Sequence, residues 1–165
     1  MILDTNALSA FVGGDAGVGE VLRRQARVAI PVIVLGEFRC GIAQSRHRPA
    51  YEAWLESQLT HFEVLSIAEE TTIAYAAVRL ALRQLGRPIP ANDVWIAALA
   101  LQHRLPVLSR DHHFDAAQRN HAARCDCRLR AEDFRIGDQI VTVLVVAAIA
   151  HVAPHLVQQS GHVQQ

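Results

Sequence analysis

The stretch Met1–Phe11, "MILDTNALSAF", runs three apolar residues straight into Asp4, Thr5 and Asn6. Leu3 needs burial, whereas Asp4 needs water, a cation or hydrogen-bond donors. The pattern reads as a short core strand that ends on a carboxylate, with Asn6 capping a brief helix behind it. An acid in that place is either a turn or capping residue, for which Asp is well suited, or part of a site. The choice depends on what the rest of the chain places beside it.

Working outward, "GVGEVLRRQA" reads as a helix, and "VAIP" (Val28–Pro31) as a second buried strand. Pro31 suits a first helical position, and "VIVLGEFRCGIAQS" is the helix it would start. "SRHRPA" reads as a loop, and Tyr51, Trp54, Leu55 and Leu59 then recur at helical spacing. "FEVLSI" is a third strand. Thr71 or Thr72 can cap the Ala-rich helix that follows, with Gly86 past its end and Pro88 as a stop. "ANDVWIAALALQHR" is another helix and "LPVLS" a fourth strand, followed by "RDHHFD". Strands alternating with helices predict an α/β fold with a mainly parallel sheet. In such sheets the cleft lies outside the carboxyl ends of the strands, so Asp4 and Asp111 should share one edge.

Composition excludes several chemistries. In the 165 residues the 16 basic and 16 acidic side chains balance, so no bulk charge draws the chain to nucleic acid or anionic lipid. Every basic residue is Arg and none is Lys. Without Lys there is no Walker-type phosphate loop and no Schiff base. A phosphoryl-accepting receiver domain, also α/β with acids at strand ends, needs a Lys and is set aside for the same reason. The three cysteines, Cys40, Cys125 and Cys127, are sparse and odd in number, which suits a reducing, cytoplasmic compartment. Asp4 interrupts the first apolar run too early for a signal peptide.

Two further acids stand out. Glu37 sits in an apolar helix among Val34, Leu35, Phe38 and Ile42, where a carboxylate is costly unless it is paired, metal-bound or on the wet face. Asp93 opens its helix after Pro90, Ala91 and Asn92, a place that also suits an acid simply through the helix dipole. In order, the chain shows strand–"DTN", "GE" inside an apolar helix, "ND" opening an Ala-rich helix, and strand–"SRDHHFD". This succession resembles the PIN-domain ribonucleases, and among them the VapC-type toxins of type II toxin–antitoxin pairs. The resemblance covers about residues 1 to 115.

The resemblance implies a PIN-like three-layer α/β/α domain over residues 1–116, extending at most to about 130, with an atypical tail at 117–165. It also implies a metal-dependent endoribonuclease that hydrolyses RNA phosphodiesters with metal-activated water. Carried over by position, Asp4, Glu37, Asp93 and Asp111 correspond to the family's catalytic, metal-holding acids around Mg²⁺ or Mn²⁺. Thr5 and Asn6 correspond to a polar pair supporting the first acid, and Asp115 competes with Asp111 for the metal-facing role. The implied partners are an RNA substrate, a VapB-type antitoxin and a second copy of the chain in a homodimer. A non-catalytic PIN-like module that only pairs with an antitoxin-like protein is the alternative.

The chemistry suits these residue types. Mg²⁺ takes oxygen ligands and binds through one or two carboxylates together with substrate phosphate. Clustered carboxylates repel one another, so a converged set is expected to bind a cation. Other features carry less. His112 and His113 read as loop residues, and Cys125, Cys127 and His121 supply one ligand fewer than structural zinc requires. Arg46, Arg48 and Arg110 can guide RNA, and Tyr51, Trp54 and Leu55 can form a groove for a partner helix. The tail does not align with the resemblance. A fifth strand is expected displaced to "CDCRLRA" or missing, and "IVTVLVVAAIA" (Ile140–Ala150) falls short of a membrane span of about 20 apolar residues. Packing of that run on the domain is the commoner role for its length.

Overall fold

The computed structural model describes residues 1–84, 86, 88–110, 134–136 and 139–144. Strand β1 (Ile2–Leu3) leads into helix α1 (Thr5–Val12), and α2 (Ala16–Arg23) follows. Then come β2 (Ala29–Pro31), α3 (Val32–Ala43), α4 (Arg48–Gln58) and, after a 3₁₀ turn, β3 (Glu63–Leu65). The order closes with α5 (Glu69–Gln84), α6 (Ala91–His103), β4 (Val107–Ser109), β5 (Phe134–Ile136) and β6 (Gln139–Leu144). The strands form one sheet in the order β3-β2-β1-β4-β6-β5. β1 to β4 run parallel, and helices flank the sheet, as the expected α/β/α architecture requires.

This order has a switch point. From β1 the chain moves one way to β2 and β3, then returns to place β4 on β1's other side, with Leu3 opposite Leu108. At such a point the connections diverge and leave a crevice at the carboxyl ends of the strands. Ile2, Leu3, Ile30, Val107 and Leu108 are fully buried, as parallel strands covered on both faces must be. In α6 the run Ile96–Ala100 is buried all round, and its three alanines let α5 and the sheet pack closely against it.

Several helix ends differ from expectation. Asp4, not Asn6, caps α1: it has extended backbone (φ −85°, ψ 176°) and its Oδ1 accepts from Ala7 N at 2.7 Å. Pro31 ends β2 and precedes α3, whose first helical residue is Val32. The segment expected as a loop already starts α4 at Arg48, with Pro49 in the first turn where its missing N–H costs nothing. α5 starts at Glu69, two residues before Thr71. Thr71 is wholly buried and its hydroxyl accepts from Ala68 N at 3.1 Å, so it closes the helix start from inside. Gly86, at φ +65°, takes the left-handed turn expected past the end of α5.

Of the trio expected to form a partner groove, Leu55 is core, and Tyr51 and Trp54 are partly buried against it. Leu55 is 3% exposed, Tyr51 packs edge-on to Phe38, and Trp54 packs edge-on to Phe11. The large apolar side chains most exposed among the described residues are Val32, Val64, Ile73 and Leu80. The expected strand at "CDCRLRA" lies outside the described residues. The strand that adjoins β4 is β6, within "IVTVLVV", and it runs antiparallel with Leu108 opposite Val143. Among the described residues no helix is long and apolar enough to cross a membrane.

Candidate active site

Asp4 stands one residue beyond β1, at the switch point. Its backbone N donates to Leu108 O at 3.1 Å, which continues the β1–β4 ladder and fixes the residue beside Ser109. Its carboxylate is 4% exposed. Oδ1 takes the Ala7 N–H and Oδ2 accepts from the Ser109 hydroxyl, itself fully buried. The opening alternative, cap or site residue, therefore does not separate: capping α1 is what orients this acid. A carboxylate has two oxygens with two lone pairs each, so one group can make both bonds at once.

Glu37 is held in the same manner from two other elements. The Thr5 hydroxyl donates to Oε2 and the Asn92 amide donates to Oε1. Thr5 follows Asp4 and Asn92 precedes Asp93, so this relay ties α1, α3 and the start of α6 together at one edge. It brings the neighbourhoods of Asp4, Glu37 and Asp93 together from three separate parts of the sequence. Asp93 lies in the first turn of α6, half-buried. Thr5 thus serves the second acid of the series, where support of the first was expected. Asn6 is exposed and lines an open cleft with Ser9, Ala10 and Arg110.

Asp111 and Asp115 lie outside the described residues, as do His112, His113, His121, Cys125 and Cys127. Among the described residues no three His, Cys, Asp or Glu side chains stand together as a ready-made metal site. The donor set is nonetheless of the right chemistry. The candidate ligands Asp4, Glu37 and Asp93 are all carboxylates, which suit hard cations such as Mg²⁺ or Mn²⁺.

Three contributors were not assigned a site role from sequence, Asn92, Ser109 and Asp15. Ser109 is legible only as a small polar residue ending a buried strand. Asp15 caps α2, accepting from Gly17 N at 2.9 Å and Val18 N at 3.1 Å. Its second oxygen meets Arg110 Nη1 at 3.2 Å, across 95 residues of chain. Asp15 was hidden by its ordinary capping role.

The PIN domain family model matches residues 1–120. The chain belongs to the PIN-domain family. Ribonuclease VapC5 of Mycobacterium tuberculosis is 35% identical over 120 residues, which span 70% of this chain and 85% of that protein. Ribonuclease VapC4 of the same organism is 36% identical over 89 residues, or 53% and 68% of the two chains. Among solved structures, FitAcB from Neisseria gonorrhoeae superposes with a TM-score of 0.63 at 31% identity, covering 70% of this chain and 91% of that chain. VapBC-5 from Mycobacterium tuberculosis, of a family of toxin–antitoxin systems, superposes at 0.57 with 33% identity over 72% and 90%. The match to the PIN family ends near residue 120, before β5 and β6.

Proposed function

We propose that this chain is a metal-dependent endoribonuclease and the toxin of a toxin–antitoxin pair. The observation that carries the reading is the relay Thr5–Glu37–Asn92, which gathers the neighbourhoods of three acids at the carboxyl edge of the sheet. Glu37 is thereby held by the chain neighbours of Asp4 and Asp93, at the edge where an α/β sheet places its cleft. The similarity to ribonucleases named VapC supports RNA as substrate. The similarity to VapBC-5, a member of the VapBC family of toxin–antitoxin systems, supports a VapB-type antitoxin as partner.

In this reading Asp4, Glu37 and Asp93 hold Mg²⁺ or Mn²⁺, with Asp111 as a further ligand. Such an ion, when bound, supplies a nucleophilic water and offsets charge building on the phosphate. The protein's part is orientation. Ala7 N–H and Ser109 fix the Asp4 carboxylate, and Thr5 and Asn92 fix that of Glu37, so neither reorganises as the ion and substrate arrive. The protein acts in the cytoplasm and as a homodimer.

RNA cleavage with Mg²⁺ or Mn²⁺, compared with EDTA and with Asp4→Asn, tests the proposal. Metal-dependent cleavage lost in the variant is expected. A purified, folded protein that cuts no RNA with either metal would return the chain to the non-catalytic, antitoxin-pairing alternative.

A further inference from the structure

The cleft lined by Asn6, Ser9, Ala10 and Arg110 is not used by the acids. Asn6, Ser9 and Ala10 stand at helical spacing on one face of α1, so two polar side chains point to one side of the opening. The opposite side carries a guanidinium. Arg110 directly follows Ser109, whose hydroxyl holds Asp4, and Asn6 lies two residues beyond Asp4. The cleft is therefore built on the same two elements, the start of α1 and the end of β4, that hold Asp4.

Arg110 is aimed there by Asp15. Its side chain is 30% exposed, and the Nη1···Oδ2 distance is 3.2 Å. That is long for a charge-assisted hydrogen bond, which runs about 2.7–2.9 Å. Asp15 is itself fixed by capping α2, so it restrains the guanidinium without burying it. The guanidinium fork can serve Asp15 and a phosphate oxygen together, and Asn6 and Ser9 add neutral donors that an anion can use. An overall neutral protein has no general pull on nucleic acid, so a local cation beside the scissile position has a clear task.

We propose that this cleft is a phosphate subsite: Arg110, with Asn6 and Ser9, holds the RNA phosphate next to the one that is cut. The inference rests on the ribonuclease reading for its substrate. Arg110 is here a binding residue that sets how the strand lies across the acids.

The test compares wild type, Arg110→Gln, Arg110→Lys and Ser9→Glu on a labelled single-stranded RNA oligonucleotide. KM and kcat are read with Mn²⁺, and Kd by fluorescence anisotropy in EDTA over a range of salt. Arg110→Gln should raise KM and Kd about tenfold, the loss of one charge-assisted contact, with kcat within about twofold. Its salt slope should fall by about 0.7, one single-strand phosphate. Ser9→Glu places a repelling charge in the cleft without touching the Asp15 pair and should weaken binding equally. Arg110→Lys should lie between, since it keeps the charge and loses the fork. Folded Arg110→Gln and Ser9→Glu proteins with wild-type KM and salt slope overturn the subsite while the ribonuclease reading stands. Wild type that binds RNA with the expected slopes but never cuts it leaves the subsite and removes the ribonuclease. Wild type that neither binds nor cuts removes both. Loss of antitoxin binding with RNA affinity unchanged also overturns the proposal, and makes the cleft a protein-docking surface.

Discussion

The Ser109 hydroxyl donates to Asp4 Oδ2 across 105 residues of chain, joining the carboxyl ends of β4 and β1 at the switch point of the sheet. Both residues are buried, so neither has water as a substitute partner. Ser109→Ala should cost about 1.5–3 kcal/mol, the range for a hydrogen bond to a charged group left unmade. Urea unfolding should show this as a lower midpoint at an unchanged slope. Asp4→Asn should fold better than Ser109→Ala, because its amide can still accept from Ala7 and donate to Ser109. It should nonetheless abolish RNA cleavage. An Asp4→Asn protein as toxic to bacteria as wild type would remove Asp4 from the site.

Glu37 is positioned by Thr5 and Asn92 together, and this predicts coupling between two residues that are far apart in sequence. Thr5→Val and Asn92→Ala should each lower kcat by about tenfold to a hundredfold, the usual loss when the support of a metal-binding carboxylate is removed. Once Glu37 is misplaced, losing the second support should add little. The double variant should therefore fall well short of the product of the single effects. Strictly multiplicative losses would mean that Thr5 and Asn92 act separately and that Glu37 is not their shared target.

Much of this was legible in the sequence, and the exceptions share a cause. "DTN" and "GE" stand out because an acid in an apolar context conflicts with local burial, and such conflicts concentrate at functional sites, whereas "ND" suits its helix start and stands out only by its order in the family resemblance. Ser109 and Asp15 raise no such conflict. A Ser ending a strand and an Asp capping a helix agree with local preferences, so their second partners emerge only when distant segments meet. Asn6 and Asp4 are both ordinary capping types two residues apart, so the sequence does not separate them, and one carboxylate has enough oxygen to cap and to serve a site. The β6 segment was ambiguous because a continuous apolar run has no period that separates a buried strand from a buried helix.

Divalent cations should stabilise the folded chain, because only folding gathers the acids. Binding to the native state alone adds RT ln(1 + [L]/Kd), about 2.7 kcal/mol at a hundredfold excess over Kd. Thermal melts with and without Mn²⁺ should differ, and the difference should shrink in Asp4→Asn. Superimposable melts at millimolar Mn²⁺ would show that the acids do not converge on a cation.

Acid should weaken the fold through His103, in the last turn of α6. Burial is the main cause that lowers its pKa below the ordinary 6.5. The Arg27 charge pushes the same way, and Glu63 opposes both. The unfolded chain then holds this proton more tightly than the folded one, so stability declines as pH falls through the window below about 6.5. Glu63, whose pKa is lowered chiefly by its hydrogen bond from Arg27, adds a second decline below its ordinary 4.5. That pair is exposed, so its share is small. His103→Gln should flatten the profile of urea midpoint against pH in the window just below about 6.5. An unaltered profile would assign the acid sensitivity elsewhere.

The last prediction concerns the chain beyond the family match. β6 runs antiparallel to β4 with Val107 opposite Leu144, Leu108 opposite Val143 and Ser109 opposite Thr142. Cutting after Asp115 would remove this partner and leave β4 as an open edge, a template for association with other chains. The loss would also reach the site, because the strand end that β6 supports carries Ser109, and Ser109 orients Asp4. The shortened protein should therefore be less soluble and lower in activity per folded molecule. A second cut after Leu144, which keeps the pairing, should restore both. If the tail is instead separate from the catalytic unit, the cut after Asp115 should yield soluble protein of full activity, and β6 would then be dispensable to the sheet. Size-exclusion profiles and metal-dependent RNA cleavage of the two truncations decide between these outcomes.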